Sequence, residues 1–225
     1  MKTREHKREY KKALRRELIR KCIHLLELPV LIMYTLLAHF YGHRVGILAL
    51  TALLIILLEI EYIRLEYRLE LPKLIDILRR HEKDNIASNI FFIASTIICF
   101  AAFDFPIAIL ALLMTVFGDL MCALIGIRFG KTKIYKKKTL EGFTAGLVTN
   151  MVVGFLVMPS MWMVFCPMAI AASLVELWTG KLDDNLTIPL AAGFVGQIIL
   201  FLLQIEVTSF PGPFLSQLMQ MFGLS

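Results

Sequence analysis

The chain has 225 residues, 58% of them apolar, with a mean hydropathy of +0.71 and a formal net charge of +6. Soluble domains carry about 45–50% apolar residues, so this composition argues against a water-soluble globule and excludes a collagen, a disulfide scaffold, a coiled coil and a disordered chain. A spanning helix needs roughly 20 mostly apolar residues, and the chain reads as one multi-pass membrane domain.

Residues 1–22 come first and are basic: ten of the 24 Lys and Arg fall in positions 1–21. Glu5, Glu9 and Glu17 interrupt the basic stretch and no A-x-A-like site follows it, which argues against a signal peptide. Tyr10, Leu14, Leu18 and Cys22 recur every four positions, which places them on one helical face. The segment is expected to be a basic amphipathic helix lying on anionic headgroups. A membrane domain over 23–206 follows, with predicted spans at 23–41, 45–63, 86–103, 105–127, 142–159, 161–178 and 186–206. Residues 64–85 read as an amphipathic helix broken near Pro72, and 207–225, with Pro211-Gly212-Pro213, as an interfacial tail.

Segments 1–22, 64–85, 128–141 and 179–185 hold 23 of the 24 basic residues, and Arg44 lies on the other side. The positive-inside rule then sets the N-terminus in the cytosol. His39 and His43 fall at the opposite interface. The expected fold class is all-α and polytopic, with about seven transmembrane helices and no strand-like alternation. The cysteines Cys22, Cys99, Cys122 and Cys166 lack metal or redox spacing and read as small apolar residues.

Ionisable residues inside spans point to chemistry, because charge in hydrocarbon is costly. Asp119 lies in the fourth span, with Ala123, Gly126 and Gly130 at +4, +7 and +11. A stripe free of long side chains beside a carboxylate suits close approach of a ligand's phosphates to the backbone. It equally suits close helix packing. The loop from Arg128 through Lys131, Lys133, Lys136, Lys137 and Lys138 to Thr139, Glu141 and Gly142 then runs into a helix N-terminus, where an anion is favoured. The G-x-x-x-x-G-K-[ST] phosphate loop is absent from it. Asp183, Asp184 and Asn185 join the last two spans. Adjacent carboxylates suit a hard cation such as Mg²⁺, although Asp184 or Asn185 could equally cap the last helix. Arg20, Lys21 and His24 stand at the entrance of the first span. All these clusters fall on the cytosolic face, where nucleotides and Mg²⁺ are found.

Arg20-Lys21-x-x-His24, Gly118-Asp119-x-x-Cys122-Ala123-x-x-Gly126-x-x-x-Gly130-Lys131, Lys138-Thr139-Leu140-Glu141-Gly142, and Glu176 with Asp183-Asp184-Asn185 through Pro189 together resemble the CTP-dependent lipid kinases. That family includes dolichol kinase, phytol kinase and the yeast-type diacylglycerol kinase, and the resemblance spans about residues 17–195. The central motif is also similar to that of the phosphatidate cytidylyltransferases, toward which Thr139 and Phe143 lean. Their C-terminal basic-acidic stretch is missing from this chain.

The resemblance implies a Mg²⁺-dependent enzyme that passes the terminal phosphoryl group of CTP to the hydroxyl of a membrane lipid alcohol. Asp119, Asp184, Lys138 and Glu141 are the implied catalytic residues, and Asp119, Asp183 and Asp184 the implied metal ligands. Arg20, Lys21, His24, Gly126, Gly130, Lys131, Thr139, Gly142 and Asn185 are the implied nucleotide and phosphate contacts. Partners would be CTP, the lipid alcohol and the bilayer, with no nucleic acid. The location would be the cell membrane, or the endoplasmic reticulum in a eukaryote. Alternatives are a CTP-using cytidylyltransferase that makes a CDP-lipid, and a non-enzymatic transporter or lipid-binding scaffold.

Overall fold

The computed structural model describes residues 25–66, 87–136, 138–179 and 182–204. The basic helix expected over 1–22, most of the amphipathic helix expected over 64–85 and the tail 207–225 lie outside these residues, as do Arg20, Lys21 and His24. The described chain forms seven helices: α1 (Glu27–Tyr41), α2 (His43–Glu66), α3 (Ser88–Ala102), α4 (Phe105–Phe129), α5 (Leu140–Val157), α6 (Trp162–Trp178) and α7 (Asp184–Leu203). Each overlaps one predicted span. Four of them, α2, α4, α5 and α7, are long and apolar enough to cross a membrane. The remaining three have 15, 15 and 17 residues, or about 22–26 Å at 1.5 Å per residue. The chain is an all-α protein of membrane type.

One element departs from the helical reading. Between α4 and α5 the chain forms a two-stranded antiparallel ribbon, β1 (Lys133–Tyr135) against β2 (Lys138–Thr139), with Lys133 opposite Thr139 and Tyr135 opposite Lys138. All three β1 residues are exposed, so no alternation of burial marks the strand in the sequence. Lys136 makes the turn with φ 49°, and the Lys136 ammonium lies 5.0 Å from the Tyr135 ring centre. The Leu140 N–H donates to the Thr132 carbonyl at 2.8 Å, which closes the ribbon onto the start of α5.

Helix α4 is the axis of the bundle. The most apolar stretch of α4 is 61% buried, against 17% for α2. Ile107, Leu110, Ala111 and Met114 face a core shared with α6 and α7, around Phe165, Met168, Ala172 and Ile188. Ala108, Leu112 and Val116 face a second core with α1 and α3, around Tyr34, Phe92 and Phe100. The Tyr34 ring stacks on Phe100 at 3.8 Å between centres.

Small residues decide how α5 meets α4. Gly118, Cys122, Gly126 and Gly130 of the α4 side approach Asn150, Gly146, Gly142 and Thr139 respectively, a ladder in steps of four residues, closing with one of three on the α5 side, along two antiparallel elements. A Cβ on Gly142 would lie 2.8 Å from the Cys122 carbonyl oxygen and 3.0 Å from the Gly126 Cα. Only glycine permits that approach. The stripe expected to leave backbone open to a ligand is therefore filled along Gly126 and Gly142 by the neighbouring helix.

Candidate functional site

Polar groups converge where α1, α3, α5 and α7 begin and α4 and α6 end. Lys138, the first residue of β2, reaches across to the last turn of α6. The Lys138 ammonium pairs with the Glu176 carboxylate and donates to the Glu176 carbonyl oxygen at 2.8 Å. The other Glu176 carboxylate oxygen accepts from the Cys122 thiol at 3.2 Å. Glu176 is buried and this charge stays there because a cation and a donor both meet it.

Glu176 forms one edge of a narrow cleft between α4, α5, α6 and α7, with open room inside it for about one water molecule. Asp119, Asn150 and Ser173 supply its other polar walls, with Phe143, Met114 and Ile188 among the apolar ones. Asp119 is buried and stands ten residues before the end of α4, about 15 Å along the helix. Asn150 is nearly inaccessible at 3% exposure and donates from Nδ2 to the Ser173 Oγ at 3.1 Å. The Asn150 Oδ1 has no hydrogen-bond partner.

A second polar cluster joins α1, α3 and α7. Asp183 is the N-cap of α7 and accepts from the Asn185 N–H at 3.0 Å. The expected caps, Asp184 and Asn185, are instead the first two residues of the helix. Capping requires an extended backbone just before the first turn, and Asp183 has it, with φ −71° and ψ 131°. The Ser88 hydroxyl lies 2.8 and 2.7 Å from the two Asp183 carboxylate oxygens. Asn185 is buried and its Nδ2 donates to Glu27 at 3.3 Å and to the Ser88 Oγ at 3.2 Å. The Ser95 hydroxyl donates to the Asn185 carbonyl at 2.8 Å.

The basic ribbon is fastened by Thr139 and Glu141. Thr139 ends β2, caps α5 by accepting from the Gly142 N–H at 3.3 Å, and sits over Gly126 and Gly130. The Glu141 carboxylate accepts from the Thr132 N–H at 3.2 and 3.3 Å, which ties the start of the ribbon to the first turn of α5. Lys131 is exposed just before β1, and Asp184 is half-buried in the first turn of α7.

Of the residues singled out from the sequence, Asp119 lines the cleft and Lys138 reaches its edge through Glu176. Asp183 and Asn185 belong to the α1–α3–α7 cluster. Gly126 and Gly142 pack helix against helix, and Glu141 braces the ribbon. Among the described residues no group of three or more His, Cys, Asp or Glu is placed to hold a metal ion. Asn150, Ser173, Ser88 and Glu27 were not anticipated. Asn150 is the only amide in its apolar run, Leu147 to Val157, and an amide at such depth is the available signal.

No family model, curated protein or solved structure matches this chain. The functional reading therefore rests on the site itself and on the motif resemblance.

Proposed function

We propose that the protein is a CTP-dependent lipid kinase, which transfers the terminal phosphoryl group of CTP to the hydroxyl of a membrane lipid alcohol. In this reading all seven helices span the bilayer with the N-terminus in the cytosol, and the ribbon end faces the nucleotide. The observation that carries it is the meeting of Lys138 with Glu176 at the edge of a cleft walled by Asp119. A basic loop at a helix start is thereby joined to buried carboxylates and an apolar-walled space. Phosphoryl transfer needs mainly positioning and charge neutralisation, and these groups offer both.

The cations Arg128, Lys131, Lys133 and Lys136 draw the triphosphate to the ribbon, and the dipole at the start of α5 adds to their field. Lys138 neutralises the group in flight. The hydroxyl oxygen of the alcohol bonds to the terminal phosphorus as the bridging oxygen leaves with CDP. The hydroxyl proton passes to a carboxylate; Asp119, which lines the cleft, is better placed for this than Asp184 at the start of α7.

Mg²⁺ fits as an ion shared with the nucleotide, because it commonly takes one or two carboxylates and completes its shell with phosphates and water. Asp184 in the first turn of α7 would hold it together with phosphate oxygens and water, while Asp183 is occupied with Ser88 and the cap of α7 and Asp119 is left as the base. When bound it offsets phosphate charge.

The deciding experiment supplies CTP labelled in the terminal phosphate together with a polyprenol, a phytol-like alcohol or diacylglycerol. Label in the lipid phase with CDP in solution is expected. Label released only as pyrophosphate, with a lipid phosphate required as acceptor, would replace the kinase by a cytidylyltransferase. No turnover of any nucleotide would return the chain to a binding or transport role.

A further inference from the structure

One polar group that lines the cleft, the Asn150 amide, has no part in the chemistry just described. Asn150 lies ten residues into α5, about 15 Å from its start, and is 3% exposed. Ser173 fixes its orientation by accepting from Nδ2 at 3.1 Å. The Oδ1 is left buried without a donor, a state that is costly when nothing fills it. The nearest charged walls are the carboxylates of Asp119 and Glu176, and the Lys138 ammonium is engaged with the latter. The floor of the cleft therefore offers one unfilled acceptor, the Asn150 Oδ1, and asks its occupant for a donor. Met114 and Ile188 make the adjacent wall apolar.

We propose that Asn150 is the specificity residue for a neutral long-chain alcohol, its Oδ1 accepting the O–H of the bound hydroxyl. This rests on the kinase reading for its choice of substrate and adds the group that recognises it. A hydroxyl at the end of a hydrocarbon chain brings the missing donor and no charge. A phosphate monoester brings acceptors and negative charge toward two carboxylates at a depth where desolvation is costly. The same floor thus selects the alcohol and rejects its phosphorylated product, which favours product release.

The test is binding without nucleotide, on the full chain in detergent. Geranylgeraniol, its monophosphate and the matching hydrocarbon are titrated against the wild type, Asn150→Leu, Asn150→Ala and Ser173→Ala. The wild type should bind the alcohol saturably, and the phosphate and hydrocarbon about tenfold or more weakly, which is 1.4 kcal/mol or more. Both Asn150 variants should lose about tenfold for the alcohol at unchanged elution volume, and Ser173→Ala somewhat less. Should Asn150→Leu fail to fold, the smaller Asn150→Ala decides. Absence of saturable alcohol binding, equal affinity for alcohol and phosphate, or unchanged affinity in the variants would overturn the assignment; the last would mean that Oδ1 holds only a buried water. A chain that binds the alcohol through Asn150 yet transfers nothing from CTP would sink the kinase reading and leave this one standing.

Discussion

Lys138 and Glu176 are 38 residues apart in sequence and meet as an ion pair, the ammonium donating also to the Glu176 main-chain oxygen at 2.8 Å. The Glu176 side chain is 9% exposed and that of Lys138 29%, so the acid depends on the base far more than the reverse. Lys138→Met should cost about 3 kcal/mol, because an uncompensated carboxylate stays buried. The double variant Lys138→Met with Glu176→Leu should recover most of that loss. Melting temperatures in detergent check the order; a double variant weaker than the single one would mean that the pair stabilises in its own right.

Gly142→Ala should destabilise the bundle by about 1–3 kcal/mol, the usual range for forcing volume into a packed contact. The new methyl would stand 2.8 Å from the Cys122 carbonyl oxygen, and backbone cannot rotate away as a side chain can. Thr144→Ala, two residues on and exposed, is the control and should stay within about 0.5 kcal/mol. Equal melting of the two variants would show that α4 and α5 separate without cost.

Ser88 ties α3 to the cap of α7, so Ser88→Ala should cost about 2 kcal/mol, as expected for a hydrogen bond to a charged group. Asp183→Ala removes the cap as well and should cost at least as much. Hydrogen exchange at the first turn of α7 should rise in both. Faster exchange confined to α3 would place the contribution elsewhere.

Asp119→Asn keeps size and removes charge. The fold should persist with a melting temperature close to that of the wild type, while CTP turnover falls at least about 100-fold, in line with the loss of one preorganised electrostatic group. Near-normal turnover at saturating Mg-CTP would make Asp119 a packing residue.

Lys136→Cys and Arg44→Cys test orientation in a chain whose natural cysteines are replaced. Both positions are exposed and lie at opposite ends of the bundle. A membrane-impermeant thiol reagent should reach position 136 only from the cytosolic side and position 44 only from outside. Labelling of position 136 from outside would reverse the proposed topology.

Helix positions were legible because each apolar run is bounded by charge, Gly or Pro, and the main cation–acid cluster because charge is rare within such runs. The glycines of α4 were legible as a stripe but not as a seam. Spacing shows which residues share a face, not whether a ligand or a helix covers it. Asp183 rather than Asp184 caps α7 because the choice depends on the backbone one residue before the turn, which three consecutive polar residues leave open. Lys138 and Glu176 were each visible as members of motifs, while their pairing depends on how the ribbon folds back. The ribbon itself escaped notice because β1 is exposed on both faces and has no burial period to read.

Thr139 closes a strand, caps a helix and fills the space above two glycines with a single side chain. The chain between β2 and α5 consequently has no slack. Extra residues spliced at the turn beside Lys136, where the main chain already bends back through φ 49°, would lengthen a solvent-facing tip and leave the helices in register. Extra residues spliced between Thr139 and Gly142 would rotate α5 about its own axis, carrying Asn150 off Ser173 and Gly142 off Gly126. An epitope or fluorescent reporter for this protein therefore has one natural point of attachment on the ribbon, and it lies within a few residues of a place where none can be accepted.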